Sequence, residues 1–369
     1  MVRSTTSKKG ITRSGATDYQ VMKVVFAGID FHKRLSVVTL GDQDGNFVSQ
    51  HRLANNEGEV ARFFSQYEPL VCAIENCRGN EWFVELVKSC GHDIRIGNTR
   101  LIRLIADSAK KNDKIDSRIL MELVARNYLP VCYQPTREER CLREKLRWRT
   151  SLLRSRTKYK NIAHAILDKE NKSSKLRSAM DRNRLQEQSG LSLEREDQIQ
   201  KCLTIVDFME ARIVDVDRNL MRIAKENPDV QRLTTIPGVG DLSALMIFAE
   251  LGDITRFRNA RHVAGYIGLV PRLYASSDTK RLGRITKQGP GHLRRLLVQD
   301  AWIAVRECRS FKQRYSRIMQ RRGKRTAIVA IARTIAEIAY HILRNKTEFD
   351  EKRLTLGQAA RVSAPTQIA

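Results

Sequence analysis

From Val24 onward, apolar positions fall into short runs: VVFAGID, then LSVVTL, a turn at GDQDGN, and FVSQHRL. Runs of this length and period predict three strands joined by tight connections, an antiparallel meander. Helical spacing follows at 57–66, a buried strand at LVCAIEN, a helix at 80–89, a strand at DIRIGN, and helix again from Thr99. Strand, strand, strand, helix, strand, helix, strand, helix is the order of an α/β fold of the ribonuclease H type, a mixed sheet covered by helices.

Pro130 and Pro135 punctuate the end of this region. Residues 138–167 then read as a basic helix, and 168–196 as a polar, weakly patterned segment. In the next stretch Ile199, Leu203, Val206, Met209, Ile213, Val216, Leu220 and Ile223 step by three or four, the stripe of a coiled coil or long packing helix, ended by Asn227 and Pro228. The third region opens with IPGVG, which resembles a helix-hairpin-helix turn or an ordinary turn between core helices. Helices are expected at 260–267, 292–306 and 324–343, with a long loop or hairpin between the first two. The expected division is a basic arm (1–21), an α/β domain (22–135), a helical middle (136–228), a mainly helical C-terminal domain (229–345) and a tail (346–369).

Charge changes the picture. The 369 residues carry a formal net charge of +26, spread from end to end, and a polyanion, nucleic acid above all, is the expected partner. Aromatic residues make up 6% of the chain, too few for a base-stacking platform, so backbone contacts should dominate. The seven cysteines are scattered with no zinc-ligand spacing and read as reduced thiols of a cytoplasmic protein. The opening residues show no apolar leader, and Arg333 and Glu337 interrupt the late apolar stretch at helical spacing, as in an amphipathic helix.

Against this basic background the acids stand out. Asp30 ends VVFAGI, Glu75 ends LVCAI, and Asp113 and Asp116 lie three apart in KKNDKIDSRIL, on one face of a helix. Taken singly, each is an ordinary turn, cap or surface residue. As a set they could converge on one place, where their mutual repulsion would call for cations, magnesium above all, suited to phosphodiester chemistry.

GIDFHK, AIENCRGNEW and SAKKNDKIDSRIL resemble the three blocks of the DEDD transposases of the IS110 group, relatives of Piv-type invertases. IPGVG, AGYIGLVPR and LGRITKQGPGHLRR resemble that group's C-terminal transposase domain, so the likeness spans nearly the whole chain. The resemblance implies a RuvC-like domain whose acids, here Asp30, Glu75, Asp113 and Asp116, bind Mg2+. It also implies a nucleophilic serine, which falls on Ser276, with Ser277 standing where the group has glycine. Arg272, Lys280, Arg281, Arg284, Lys287, Arg294 and Arg295 surround that position in sequence and suit phosphate binding. His262 and His292 receive no catalytic role. The implied activity is cutting and rejoining of DNA, by a dimer or tetramer, with an element-encoded noncoding RNA as a possible guide. A RuvC-like junction resolvase, which needs the acids and no serine, and a noncatalytic nucleic-acid scaffold are the alternatives.

Overall fold

Alternate residues of the first strand face two different environments, and this decides where its acid points. The computed structural model describes residues 23–105, 113–172, 190–276, 279–352 and 354; the basic arm and most of the tail lie outside them. The chain divides into two units, one ending at Gln134 and one beginning at Pro135.

In the first unit, β1 (Val24–Phe31), β2 (Leu35–Asp42) and β3 (Phe47–Ala54) form the meander, followed by α1 (Glu57–Phe64), β4 (Val71–Glu75), α2 (Glu81–Ser89), β5 (Asp93–Gly97), α3 (Thr99–Ile105) and α4 (Asp113–Ala125). The five-stranded sheet runs β3-β2-β1-β4-β5. Its β1–β2 and β2–β3 pairs are antiparallel, while β1–β4 and β4–β5 are parallel, the mixed sheet anticipated from the element order. One face carries Ala27, Ile29, Cys72 and Ile74 against Phe63 and Phe64 of α1 and Phe83, Val84 and Val87 of α2. On the opposite face Phe26, Val71 and Ala73 meet Ile102 of α3 and Leu120, Leu123 and Val124 of α4.

The second unit starts with α5 (Arg137–Lys169), closed at its N-terminus by a capping box in which Thr136 Oγ1 accepts from the Glu139 amide and Glu139 Oε2 from the Thr136 amide. It pairs with α6 (Leu193–Glu226) in antiparallel sense, Lys145 meeting Asn219 and Lys160 meeting Glu210. The striped positions Ile199, Leu203, Val206, Ile213 and Leu220 are buried. There follow α7 (Pro228–Thr234), α8 (Asp241–Leu251), a 3-10 turn, α9 (Ala260–Ile267), a hairpin of β6 (Pro271–Ser276) and β7 (Thr279–Ile285), α10 (Gly291–Glu307), α11 (Arg309–Arg322) and α12 (Lys324–Asn345), giving twelve α-helices among the described residues. The α11 helix was not foreseen: only Phe311, Tyr315 and Ile318 mark its inner face, among six basic residues.

One described helix, α12, is long and apolar enough to cross a membrane. Ala327, Ile331, Ile335, Ala339 and Leu343 are buried in the core of the second unit, the placement of a core helix.

Candidate active site

Asp30 and Glu75 each lie one residue beyond the parallel pair Ile29–Ile74, at the carboxyl ends of adjacent strands. Alternation puts both on the face of Gly28 and Ala73, the face covered by α4. That helix lies against the sheet backbone itself. A Cβ on Gly28 would sit 2.0 Å from the Ser117 carbonyl oxygen, and one on Gly41 would sit 2.4 Å from Met121 Sδ. Ser117 Oγ and Thr39 Oγ1 share a hydrogen bond of 2.8 Å, and Gln50 Nε2 donates to Thr39 Oγ1 at 2.8 Å. These small and polar contacts, which sequence reasoning missed, fix the helix turn that carries Asp116.

The acids feel one another. Burial pushes the Glu75 carboxyl above the usual carboxylate range; a Thr99 hydrogen bond and Arg103 oppose this, while the charges of Asp116 and Asp30 add to it. His32 Nε2 lies 3.1 Å from Asp30 Oδ2. Asp113 is the first residue of α4, and its side chain lies outside the described set. Among the described residues no three acid, histidine or cysteine side chains close on a single point, so Asp30, Glu75 and Asp116 stand within electrostatic reach without forming a finished ligand cage. As a donor set they fit a hard divalent cation: carboxylate oxygens on one face, part-buried and mutually repelling, which an ion would relieve.

In the second unit Ser276 is the last residue of β6 and pairs with Thr279 at the far end of the hairpin. Ser277, like its neighbour at 278, lies outside the described residues, as do the side chains of Ser276, Lys280 and Arg281. Arg272, Arg284, Lys287 and Arg295 are exposed. Arg294 instead donates from one nitrogen to the carbonyls of Ile267 at 2.6 Å and Gln288 at 2.7 Å. The root of the hairpin is backbone packed on backbone. A Cβ on Gly289 would lie 1.9 Å from the Tyr266 carbonyl oxygen, and one on Gly268 2.3 Å from that of Gln288. Both glycines have positive φ. The glycines of GLVPR and TKQGPG thus hold the two hairpin stems together.

Behind this root lies a buried ionic cluster that no sequence signal distinguished from surface charge. Glu250 of α8, with a side chain only 3% exposed, meets His292 Nε2 at 2.7 Å and an Arg147 terminal nitrogen at 3.2 Å. Arg143 Nε donates to the Ala249 carbonyl at 2.7 Å. Burial alone would raise the Glu250 carboxyl, but the His292 hydrogen bond, Arg147 and Arg143 outweigh it and hold the group below its ordinary range. The cluster ties α5, α8 and α10 together beneath the hairpin.

An α/β domain with acids at the ends of neighbouring parallel strands, in one chain with a helical unit that carries an arginine-flanked hairpin, defines a ribonuclease H-like enzyme class that acts on nucleic acid with a divalent metal ion. Comparison with known proteins makes the class specific. Residues 27–171 match the DEDD transposase model of the IS110 type, and residues 230–316 match the transposase IS116/IS110/IS902 family. The transposase for insertion sequence element IS1111A of Coxiella burnetii is 31% identical over 248 residues, 64% of this chain and 67% of that protein. A probable family 20 transposase of Pseudomonas aeruginosa is 26% identical over 333 residues, 87% of this chain and 97% of its own. The pilin gene-inverting protein of Moraxella bovis is 28% identical over 147 residues, 38% of this chain and 46% of that one. The chain belongs to the IS110-type DEDD transposases and is a DNA transposase.

Proposed function

We propose that this transposase cuts and rejoins DNA with two sets of groups: Asp30, Glu75, Asp113 and Asp116 as the holders of Mg2+, and Ser276 as the nucleophile. The observation that carries the reading is the shared face of Asp30, Glu75 and Asp116, close enough for each of the two aspartates to act on the Glu75 carboxyl. Bound there, magnesium would neutralise charge on a phosphodiester and polarise its phosphorus–oxygen bonds. Ser276 Oγ attacks phosphorus; the new Ser–O–P bond replaces one P–O bond to deoxyribose, and the departing oxygen takes up a proton as a free hydroxyl. Because a phosphodiester is exchanged for a phosphodiester, the bond energy is kept for rejoining.

Arg272, Lys280, Arg281, Arg284, Lys287, Arg294 and Arg295 are the proposed phosphate-binding set around the hairpin, Arg294 chiefly by fixing its root. The IPGVG turn is read as a helix-hairpin-helix: Gly238, at φ +84° against α10, makes the turn, and the open amide end of α8 at Gly240 faces a phosphate. The α5–α6 pair is read as a coiled coil through which protomers form a dimer or tetramer. An element-encoded noncoding RNA is the proposed guide, with the working protein in the bacterial cytoplasm and on the nucleoid.

The test uses element ends and a plasmid target. Asp30→Asn and Ser276→Ala should each abolish strand transfer while leaving DNA affinity within about twofold of wild type. Denaturing gels of suicide substrates should show protein-linked DNA with wild type and none with Ser276→Ala. Full activity in either variant, or free ends in place of adducts, rejects the mechanism, the second outcome favouring a junction resolvase. Copurified nucleic acid that resists ribonuclease would reject the RNA guide.

A further inference from the structure

Three arginines in the second unit face a cleft that serves neither the hairpin nor the Glu250 cluster. The cleft, of about 600 Å3, opens where the start of α9 meets α11 and α12, and its walls include Arg261, Arg314, Arg333, Thr334 and Glu337. Arg333 Nε donates to Glu337 Oε1 at 2.8 Å, one helical turn along α12. This bond holds the guanidinium by its inner nitrogen and leaves the terminal fork for another acceptor. Arg261 is exposed and makes no hydrogen bond or ion pair among the described residues. Among the described residues lining the cleft Glu337 is the one carboxylate, so the guanidinium groups of Arg261 and Arg333 leave uncompensated positive charge in a concave site, and an anion relieves that cost.

Guanidinium forks match phosphate oxygens two at a time. Among the described residues no Phe, Tyr or Trp lines the cleft and its one aromatic ring is the His341 imidazole, so the guanidinium groups dominate and the feature they match best is the backbone phosphate. From this geometry we propose that the cleft seats a backbone phosphate of the DNA duplex. The hairpin that carries Ser276 leaves the other end of α9, an eight-residue helix about 12 Å long, so one strand of DNA is gripped at both ends of α9. The inference rests on DNA as the substrate and is independent of which groups carry out strand transfer.

The experiment measures binding of the full-length protein to a short DNA duplex by fluorescence anisotropy across a salt series, without divalent ions. Substituting Arg261→Gln and Arg333→Gln together should reduce the slope of log affinity against log salt by about one and weaken binding about tenfold at moderate salt. Glu337→Gln, which removes the one carboxylate among the described residues lining the cleft, should tighten binding severalfold, a change that misfolding does not produce. If the double variant does not fold, Glu337→Gln decides alone. A wild-type slope in the folded double variant, or unchanged affinity in Glu337→Gln, overturns the proposal. So would a change seen with single-stranded RNA and not with the duplex, or tight calorimetric binding of inorganic phosphate with an unchanged duplex slope, the mark of a small-anion site.

Discussion

Gly28 and Ser117 touch backbone to backbone: a methyl group on Gly28 would lie 2.0 Å from the Ser117 carbonyl oxygen and 2.3 Å from the Met121 amide nitrogen. Ser117 adjoins Asp116 in α4, and Gly28 lies two residues before Asp30 on the same face of β1. The contact therefore sets the spacing between acids from distant parts of the chain. Gly28→Ala should lift α4 from the sheet, lower stability by about 3 kcal/mol, and reduce strand transfer more than DNA binding. Urea unfolding and strand-transfer assays check it; wild-type stability in the variant would show that α4 does not rest on β1 at this point.

Glu250 should matter for folding in a way that depends on pH. Its carboxyl lies below the ordinary range in the folded chain, so its contribution is present above the unfolded value and is lost as pH falls through the folded one. Glu250→Gln keeps the volume and removes the charge facing His292 and Arg147; because Arg147 is 54% exposed, the expected loss at neutral pH is about 2 kcal/mol, below that of a fully buried pair. Urea midpoints should draw together for the two proteins only as pH falls below the ordinary glutamate range and through the lowered folded value of the wild-type carboxyl. A constant gap at every pH would mean that packing, not charge, holds the cluster.

How far the residues announced themselves depends on how local their causes are. Asp30 and Glu75 could be placed at strand ends because each closes an apolar run, and alternation then assigned them a face. Nothing local marks Glu250: in AELGD it reads like any helix-terminal acid, and its burial is imposed by Arg143 and Arg147, about a hundred positions earlier in the chain. Helix α11 was hidden for the opposite reason, since six basic residues mask an inner face of only Phe311, Tyr315 and Ile318. The glycines at 268 and 289 drew no reading of their own from the sequence, because the close approach that demands them appears only in three dimensions.

A divalent ion should stabilise the first unit. Asp30, Glu75 and Asp116 repel in its absence, and an ion that binds the folded form alone adds about 1.4 kcal/mol at ten times its dissociation constant. Thermal melts with increasing magnesium should therefore shift upward and return on chelation. Asp30→Asn should melt at or above wild type without metal, because one repelling charge is gone, and should lose the metal-induced shift. An equal shift in that variant would place the ion elsewhere.

Asp300 should oppose stability at alkaline pH. It lies in α10 at 3% exposure, Ser243 Oγ donates to its Oδ1 at 2.9 Å, and Oδ2 has no hydrogen-bond partner among the described residues. Burial pushes its carboxyl up to about 7, with the Ser243 bond pulling the other way. The folded chain therefore holds this proton more tightly than the unfolded one, so the contribution is fully present below the unfolded value near about pH 4 and is lost as pH rises through about 7. The ionised group costs up to about 4 kcal/mol relative to the neutral acid. Asp300→Asn, a neutral side chain of the same shape, abolishes that dependence: its melting temperature should exceed wild type near about pH 8 and approach it near about pH 5. Parallel melting curves across that interval would show that Asp300 is charged or solvated in the folded protein, and that the Ser243 contact alone accounts for its place between α8 and α10.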